Sequence, residues 1–156
     1  MVSIKAIPLS RHWKNIKEEY FKLLNQFMSN NDIPSNGSFT KEAQQTLQII
    51  SGRKHAFLTH SGTAAIDLML LVADIKAGDE VICTNYSVPA SVMPVKVIGA
   101  TPIFVDINRY GQMDLSLVKK AITKKTKAIL VPSLYGDCPD FDQLNDIDIP
   151  ILNDSA

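Results

Sequence analysis

Apolar residues fall along this chain in two rhythms: short unbroken runs, and longer stretches spaced at three and four. The unbroken runs are His55-Ala56-Phe57-Leu58-Thr59, Val81-Ile82-Cys83-Thr84, Thr101-Pro102-Ile103-Phe104-Val105-Asp106, Ala128-Ile129-Leu130-Val131-Pro132 and Ile149-Pro150-Ile151-Leu152. Short apolar runs bounded by turn formers read as buried strands, so strands are expected near 55–59, 81–84, 101–106, 128–132 and 149–152. Helical spacing lies between and before them. Trp13, Ile16, Tyr20, Leu23, Leu24 and Phe27 mark an amphipathic helix over 13–28, and a second is expected from Thr40 to Ile50, ending near Gly52. Ile66, Leu68, Met69, Leu70, Leu71 and Val72 mark a buried helix from Thr63 to near Ile75. Pro89 suits a first helical turn, while Pro94 inside the same pattern implies a late start or a bend. Leu115, Val118, Ala121 and Ile122 mark another helix, and a short one is expected over Phe141–Asn145.

Strands alternating with helices through Gly and Asp turns predict a three-layer α/β/α fold with a mostly parallel sheet. Ligands of such sheets lie beyond the C-terminal strand ends. That rule places Ser61–Ala64, Asn85–Val88, Ser133–Gly136 and Asn153–Ala156 on one rim; Asp106 either shares it or caps its own turn. Residues 1–10 read as an extended lead-in, and 30–38 as a polar loop that is either functional or a plain linker. The expected division is an arm and helix over 1–38 and a layered domain over 39–156.

The 156 residues suffice for one real core, and 16 basic against 16 acidic residues leave no net field to attract nucleic acid or an anionic membrane. Cys83 and Cys138 lack metal-ligand spacing and read as reduced thiols of a cytoplasmic protein; His12, His55 and His60 form no metal set. No metal site, signal peptide or membrane span is expected.

Candidate chemistry centres on Thr59-His60-Ser61-Gly62-Thr63-Ala64-Ala65, where an apolar run hands over to a helix. Ser61 can cap that helix, Gly62 admits close approach, and the N–H groups at its positive end suit a phosphate; a plain structural cap explains the same residues. The Gly-x-Gly-x-x-Gly, Gly-x-x-x-x-Gly-Lys-Ser/Thr and Gly-x-Ser-x-Gly motifs are absent, which argues against common dinucleotide enzymes, nucleotide hydrolases and serine hydrolases. An anion site at Gly62-Thr63 with an acid at Asp154 fits a cofactor carrying a phosphate at one end and a basic ring nitrogen at the other. Pyridoxal phosphate is such a cofactor, and a carboxylate beside its nitrogen keeps the ring protonated. Asp154 as an ordinary strand end is the competing reading.

A set of ordered segments resembles the N-terminal part of the DegT/DnrJ/StrS-type sugar aminotransferases, fold-type-I pyridoxal-phosphate enzymes. These are Ile7-Pro8-Leu9-Ser10, Gly37 in its loop, Thr59–Ala65, Ala77–Ile82, Gly99–Asp106, Thr126–Ile129, Leu134-Tyr135-Gly136 and Leu152-Asn153-Asp154-Ser155-Ala156. The resemblance implies an incomplete large domain in which Gly62, Thr63 and Ala64 hold the cofactor phosphate, Asp154 faces the pyridine nitrogen and Val88 covers a ring face. It further implies amino transfer from a donor such as glutamate to a keto sugar carried on a nucleotide, as in polysaccharide biosynthesis, by a homodimer. Three positions depart from the pattern: Val88 where an aromatic is usual, Asn153 where an acid is frequent and Ser133 where a histidine is frequent.

The family's cofactor-bearing lysine follows the aspartate element, so it is expected downstream of Ala156 and none of the lysines present is assigned a catalytic role. The chain therefore reads as cut. It is a fragment of an aminotransferase, one half of a split enzyme completed by a C-terminal half in trans, a non-catalytic relative, or part of a nucleotide-sugar dehydratase using the same cofactor. A phosphate- or nucleotide-binding module without chemistry is the rival from another class.

Overall fold

The computed structural model describes residues 9–155. They fall into two compact units, one ending at Leu58 and one beginning at Thr59. Residues 1–8 of the expected extended lead-in, and Ala156, lie outside the described residues; Leu9 and Ser10, the rest of that lead-in, are not extended but already helical.

The first unit holds helix α1 (Leu9–Ser29) and helix α2 (Ser38–Ser51). Helix α1 begins four residues before the first aromatic of its stripe and keeps the expected amphipathic pattern. Trp13 stacks edge-on against Tyr20 and Phe21, at 5.5 and 6.0 Å between centroids. The intervening turn is held by Asp32, whose carboxylate accepts from the Ile33 N–H at 2.9 Å and from the Ser38 N–H at 3.0 Å. The Ser38 hydroxyl, also bonded to it, is the main reason its pKa lies below the ordinary carboxylate value. Gly37, the residue capping α2, has no room for a side chain: a Cβ there would lie 2.3 Å from both the Ile33 carbonyl oxygen and Asp32 Oδ1.

The run 55–59 carries no strand, contrary to expectation. A strand exists only through its ladder partners; no described residue pairs with this run, and Phe57 is 78% exposed.

The second unit is the layered one. Helix α3 (Gly62–Val72) precedes strand β1 (Glu80–Thr84), helix α4 (Pro89–Val97), strand β2 (Thr101–Val105), helix α5 (Leu115–Ala121), strand β3 (Thr126–Pro132) and strand β4 (Ile151–Asp154). Between β3 and β4 the expected short helix is a single 3₁₀ turn, Phe141–Leu144. All pairings are parallel in the order β2-β1-β3-β4. The β4 register, Ile129 against Ile151 through Pro132 against Asp154, moves the last strand two residues beyond the expected 149–152. Pro150 cannot donate to a ladder; its carbonyl instead accepts from the Ile129 N–H, and the strand proper starts after it.

Period-two alternation divides the strand side chains between two layers. Val81, Cys83, Ala128, Leu130 and Leu152 pack with Ile66 and Leu70 of α3 and Val95 of α4. Ile82, Val105, Ile129 and Val131 face the other way, onto Leu115 and Val118 of α5 and Leu144 of the 3₁₀ turn. The result is a three-layer α/β/α arrangement. In the order β2-β1-β3-β4, the chain leaves β1 toward one edge and returns to β3 on the other side, so the switch point lies between the C-terminal ends of β1 and β3. That is where an open parallel sheet presents a crevice.

Candidate functional site

Every residue assigned to cofactor binding from the sequence falls in the second unit, at the helix start or strand exits of this rim. At the start of α3, Ser61 adopts extended backbone and its Oγ accepts from the Ala64 N–H at 3.2 Å. The Ala65 N–H bonds to the Ser61 carbonyl as the first helical bond. Gly62 and Thr63 are thus the first two helical residues, whose N–H groups have no intrahelical acceptor and point outward at the positive end of the helix. Ala64 differs from the expectation in one respect: its N–H is engaged by Ser61, so what it offers is a small, half-buried side chain. The structural cap is therefore present at Ala64, and it leaves the Gly62 and Thr63 N–H groups for the anion-binding reading.

Asp154 closes β4 two residues after Leu152, on the same side of the sheet, and so faces the layer formed by α3 and α4. Its carbonyl accepts from the Ser133 N–H at 2.8 Å, which ties the ends of β3 and β4 together. Its Oδ2 accepts from the Ser91 hydroxyl at 2.6 Å, and Ser91 accepts from Ser87 at 3.1 Å. Ser133 and Asn153, two of the three positions that depart from the family pattern, bond each other: Ser133 Oγ donates to Asn153 Oδ1 at 2.8 Å. The third, Val88, caps α4 in extended conformation and is 54% exposed at the rim. Asp106 is a turn cap, accepting from the Ile107 N–H at 2.8 Å.

Sequence reasoning missed Ser91. The available signal was a hydroxyl three residues after Val88 in a mostly apolar helix, hence on the same face. It also missed a cavity of about 240 Å³ beside the switch point, lined by Tyr86, Tyr110, Gln112, Pro132, Tyr135 and Asp137 among others. Tyr135 holds a left-handed backbone, φ 59°, and its phenol bonds to Tyr86, which raises the Tyr86 pKa. Arg109 lies over the Tyr110 ring at 4.7 Å. No group of three or more His, Cys, Asp or Glu among the described residues could hold a metal ion, and no described helix is long and apolar enough to cross a membrane.

These groups could hold an anion joined to a basic ring: helix N–H groups at the start of α3, a carboxylate at the exit of β4 and an apolar side chain at the start of α4. Comparison with known proteins points the same way. The profile of the DegT/DnrJ/EryC1/StrS aminotransferase family matches residues 14–156. A UDP-2-acetamido-2-deoxy-3-oxo-D-glucuronate aminotransferase of Pseudomonas aeruginosa is 36% identical over 125 residues, covering 77% of this chain and 35% of that protein. Among solved structures, DesV of S. venezuelae in complex with a ketimine intermediate superposes with a TM-score of 0.90 at 27% identity, over 100% of this chain and 43% of that one. The E. coli GDP-4-keto-6-deoxy-D-mannose-3-dehydratase with bound hydrated PLP superposes with a TM-score of 0.80 at 28% identity, over 87% of this chain and 38% of that one. The chain thus spans well under half the length of each of these relatives. With a profile match over nearly its whole length, this chain belongs to the DegT/DnrJ/EryC1/StrS aminotransferase family.

Proposed function

We propose that this chain carries the phosphate- and ring-nitrogen-holding part of a pyridoxal-phosphate-dependent aminotransferase acting on a nucleotide-linked keto sugar. The observation that carries the reading is the position of Asp154, a carboxylate at a strand exit on the side of the sheet covered by α3 and α4, with the N-terminus of α3 at the same rim. A phosphate alone would be served by Gly62 and Thr63 and would have no use for that acid.

In this reading the Gly62 and Thr63 N–H groups hold the phosphate at the positive end of α3, and the Thr63 hydroxyl adds a third donor. Ala64, with its small side chain, lets the phosphate approach the helix closely. Asp154 accepts from the ring N–H and keeps that nitrogen charged. Val88 covers one ring face by apolar contact, over less area than an aromatic side chain offers. When bound, the cofactor supplies an electron sink for the carbanion formed as the amino group moves. The proton carrier, a lysine in this reading, is placed beyond Ala156, and the amino donor is an amino acid such as glutamate.

Residues 39–156 are then the N-terminal portion of the cofactor-binding domain, with 1–38 an arm and helix. The complete protein is proposed to work as a cytoplasmic homodimer, with no membrane or nucleic-acid partner. A dehydratase of nucleotide sugars is the second reading, supported by the likeness to the E. coli dehydratase; it uses the same donor set and differs in the residue that moves the proton.

The test is a reaction of the complete protein, with the proposed downstream lysine, on nucleotide-linked keto sugars and glutamate, followed by mass analysis of the sugar; this chain alone should bind the cofactor without turnover. Gain of an amino group with formation of 2-oxoglutarate is the expected result. Loss of a hydroxyl instead favours the dehydratase, and absence of turnover with unimpaired binding of inorganic phosphate favours a binding module. Borohydride reduction followed by peptide mass mapping should leave every lysine within residues 1–156 unmodified; stoichiometric attachment there would overturn the downstream placement.

A further inference from the structure

Ser91 is the buried polar side chain of an otherwise apolar surface: α4 also buries Pro94 and Val95, and Ser91 is only 2% exposed. A hydroxyl at that depth needs partners, because an unmet one is costly. It has two, Asp154 Oδ2 at 2.6 Å and Ser87 Oγ at 3.1 Å. Their order is not arbitrary. An ionised carboxylate can only accept, and serine has one proton to give. Ser91 therefore directs its proton to Asp154 and must accept from Ser87, so that the chain runs Ser87 to Ser91 to Asp154. Each bond polarises the next.

The bond to Asp154 spans 63 residues of sequence and joins the first turn of α4 to the end of β4. The same turn carries Val88, whose carbonyl accepts from the Ser91 N–H at 3.0 Å. One helical turn therefore sets both the apolar side chain at the rim and the hydroxyl that grips the acid. All three polar side-chain atoms involved belong to short side chains with few rotamers, so the geometry is held at small entropic cost.

We propose that Ser91, backed by Ser87, is a positioning residue for Asp154, fixing the rotamer of its carboxylate and keeping it an acceptor toward the cofactor ring nitrogen. The inference rests on the cofactor reading given above. Ser91 acts through Asp154 and touches neither cofactor nor substrate.

A double-mutant cycle on the purified protein tests it, with pyridoxal phosphate affinity read by absorbance titration and thermal unfolding of the cofactor-free variants read alongside. Ser91→Ala is expected to weaken binding about tenfold, as loss of one hydrogen bond to a charged group does. Ser87→Ala, which removes only the outer link, should weaken it about two- to threefold. In the Asp154→Asn background, Ser91→Ala should cost no more than about twofold, because coupled residues are not additive. Equal losses in both backgrounds, or no loss in either, would overturn the inference while leaving the cofactor reading intact. Binding that is absent, or indifferent to Asp154→Asn, would overturn the cofactor reading and this inference with it. Should Ser91→Ala unfold the protein, Ser91→Cys and the half-buried Ser87 carry the same cycle with the same outcomes.

Discussion

Cys83 and Cys138 show how far a single residue's behaviour follows from where the fold puts it. Cys83 is 1% exposed in β1, and burial pushes its thiol pKa from 9.0 up to about 12; Cys138 is exposed. At pH 8 a thiol reagent should label one site at once and the second only on unfolding; rapid labelling of both would contradict the burial. The sign of the linkage follows. The folded pKa lies above the unfolded one, so the contribution of the neutral thiol is complete below about pH 9 and is lost as the pH rises toward 12. Gly37 makes the second prediction at this scale. Gly37→Ala should destabilise the first unit by about 1–3 kcal/mol, because the added carbon meets a backbone carbonyl that cannot step aside; an unchanged denaturation midpoint would contradict it. The helix start at the candidate site was legible from Ser61, Gly62 and Thr63, because a capping pattern is local. Ser91 was not, because its meaning depends on a partner 63 residues away.

Among the elements, strands that pair in the sheet were the ones periodicity located. Strands β1, β2 and β3 lie within a residue or two of the apolar runs that announced them, and each pairs in the sheet. The run 55–59 has the same composition and no ladder, so apolar content alone cannot tell a strand from a segment without a partner. Amides of 55–59 should accordingly exchange with solvent far faster than those of Ile82 and Ile129; protection equal to the sheet would contradict this description. Helix α4 tolerates Pro94 for a definable reason. The helix spans only nine residues, so just one internal N–H is lost, and the proline ring is buried in return. Leu70, fully buried between α3 and the sheet, is the element-scale test of packing: Leu70→Ala should cost about 2–5 kcal/mol in chemical denaturation. A loss below 1 kcal/mol would mean that α3 does not dock on the sheet as described.

At the largest scale, the second unit is organised by its sheet, whose switch point between β1 and β3 gathers exits from distant parts of the sequence onto one rim. The alternation of runs and helices revealed the layers, and the strand-end rule named the rim, because both depend only on local periodicity and on a general property of parallel sheets. The strand order, the tyrosine-lined cavity and the serine chain depend on which strands pair, and that information is not local. The start of α3 and Asp154 are proposed to hold one cofactor between them. The most direct test is titration of the purified protein with pyridoxal phosphate, comparing the native sequence with Asp154→Asn and with inorganic phosphate as competitor. The expected result is saturable binding that phosphate displaces and that Asp154→Asn weakens by about 2–5 kcal/mol, as loss of a buried charged pair does, with the unfolding midpoint nearly unchanged. Equal affinity in both proteins, or a change in stability without a change in affinity, would show that Asp154 merely ends a strand.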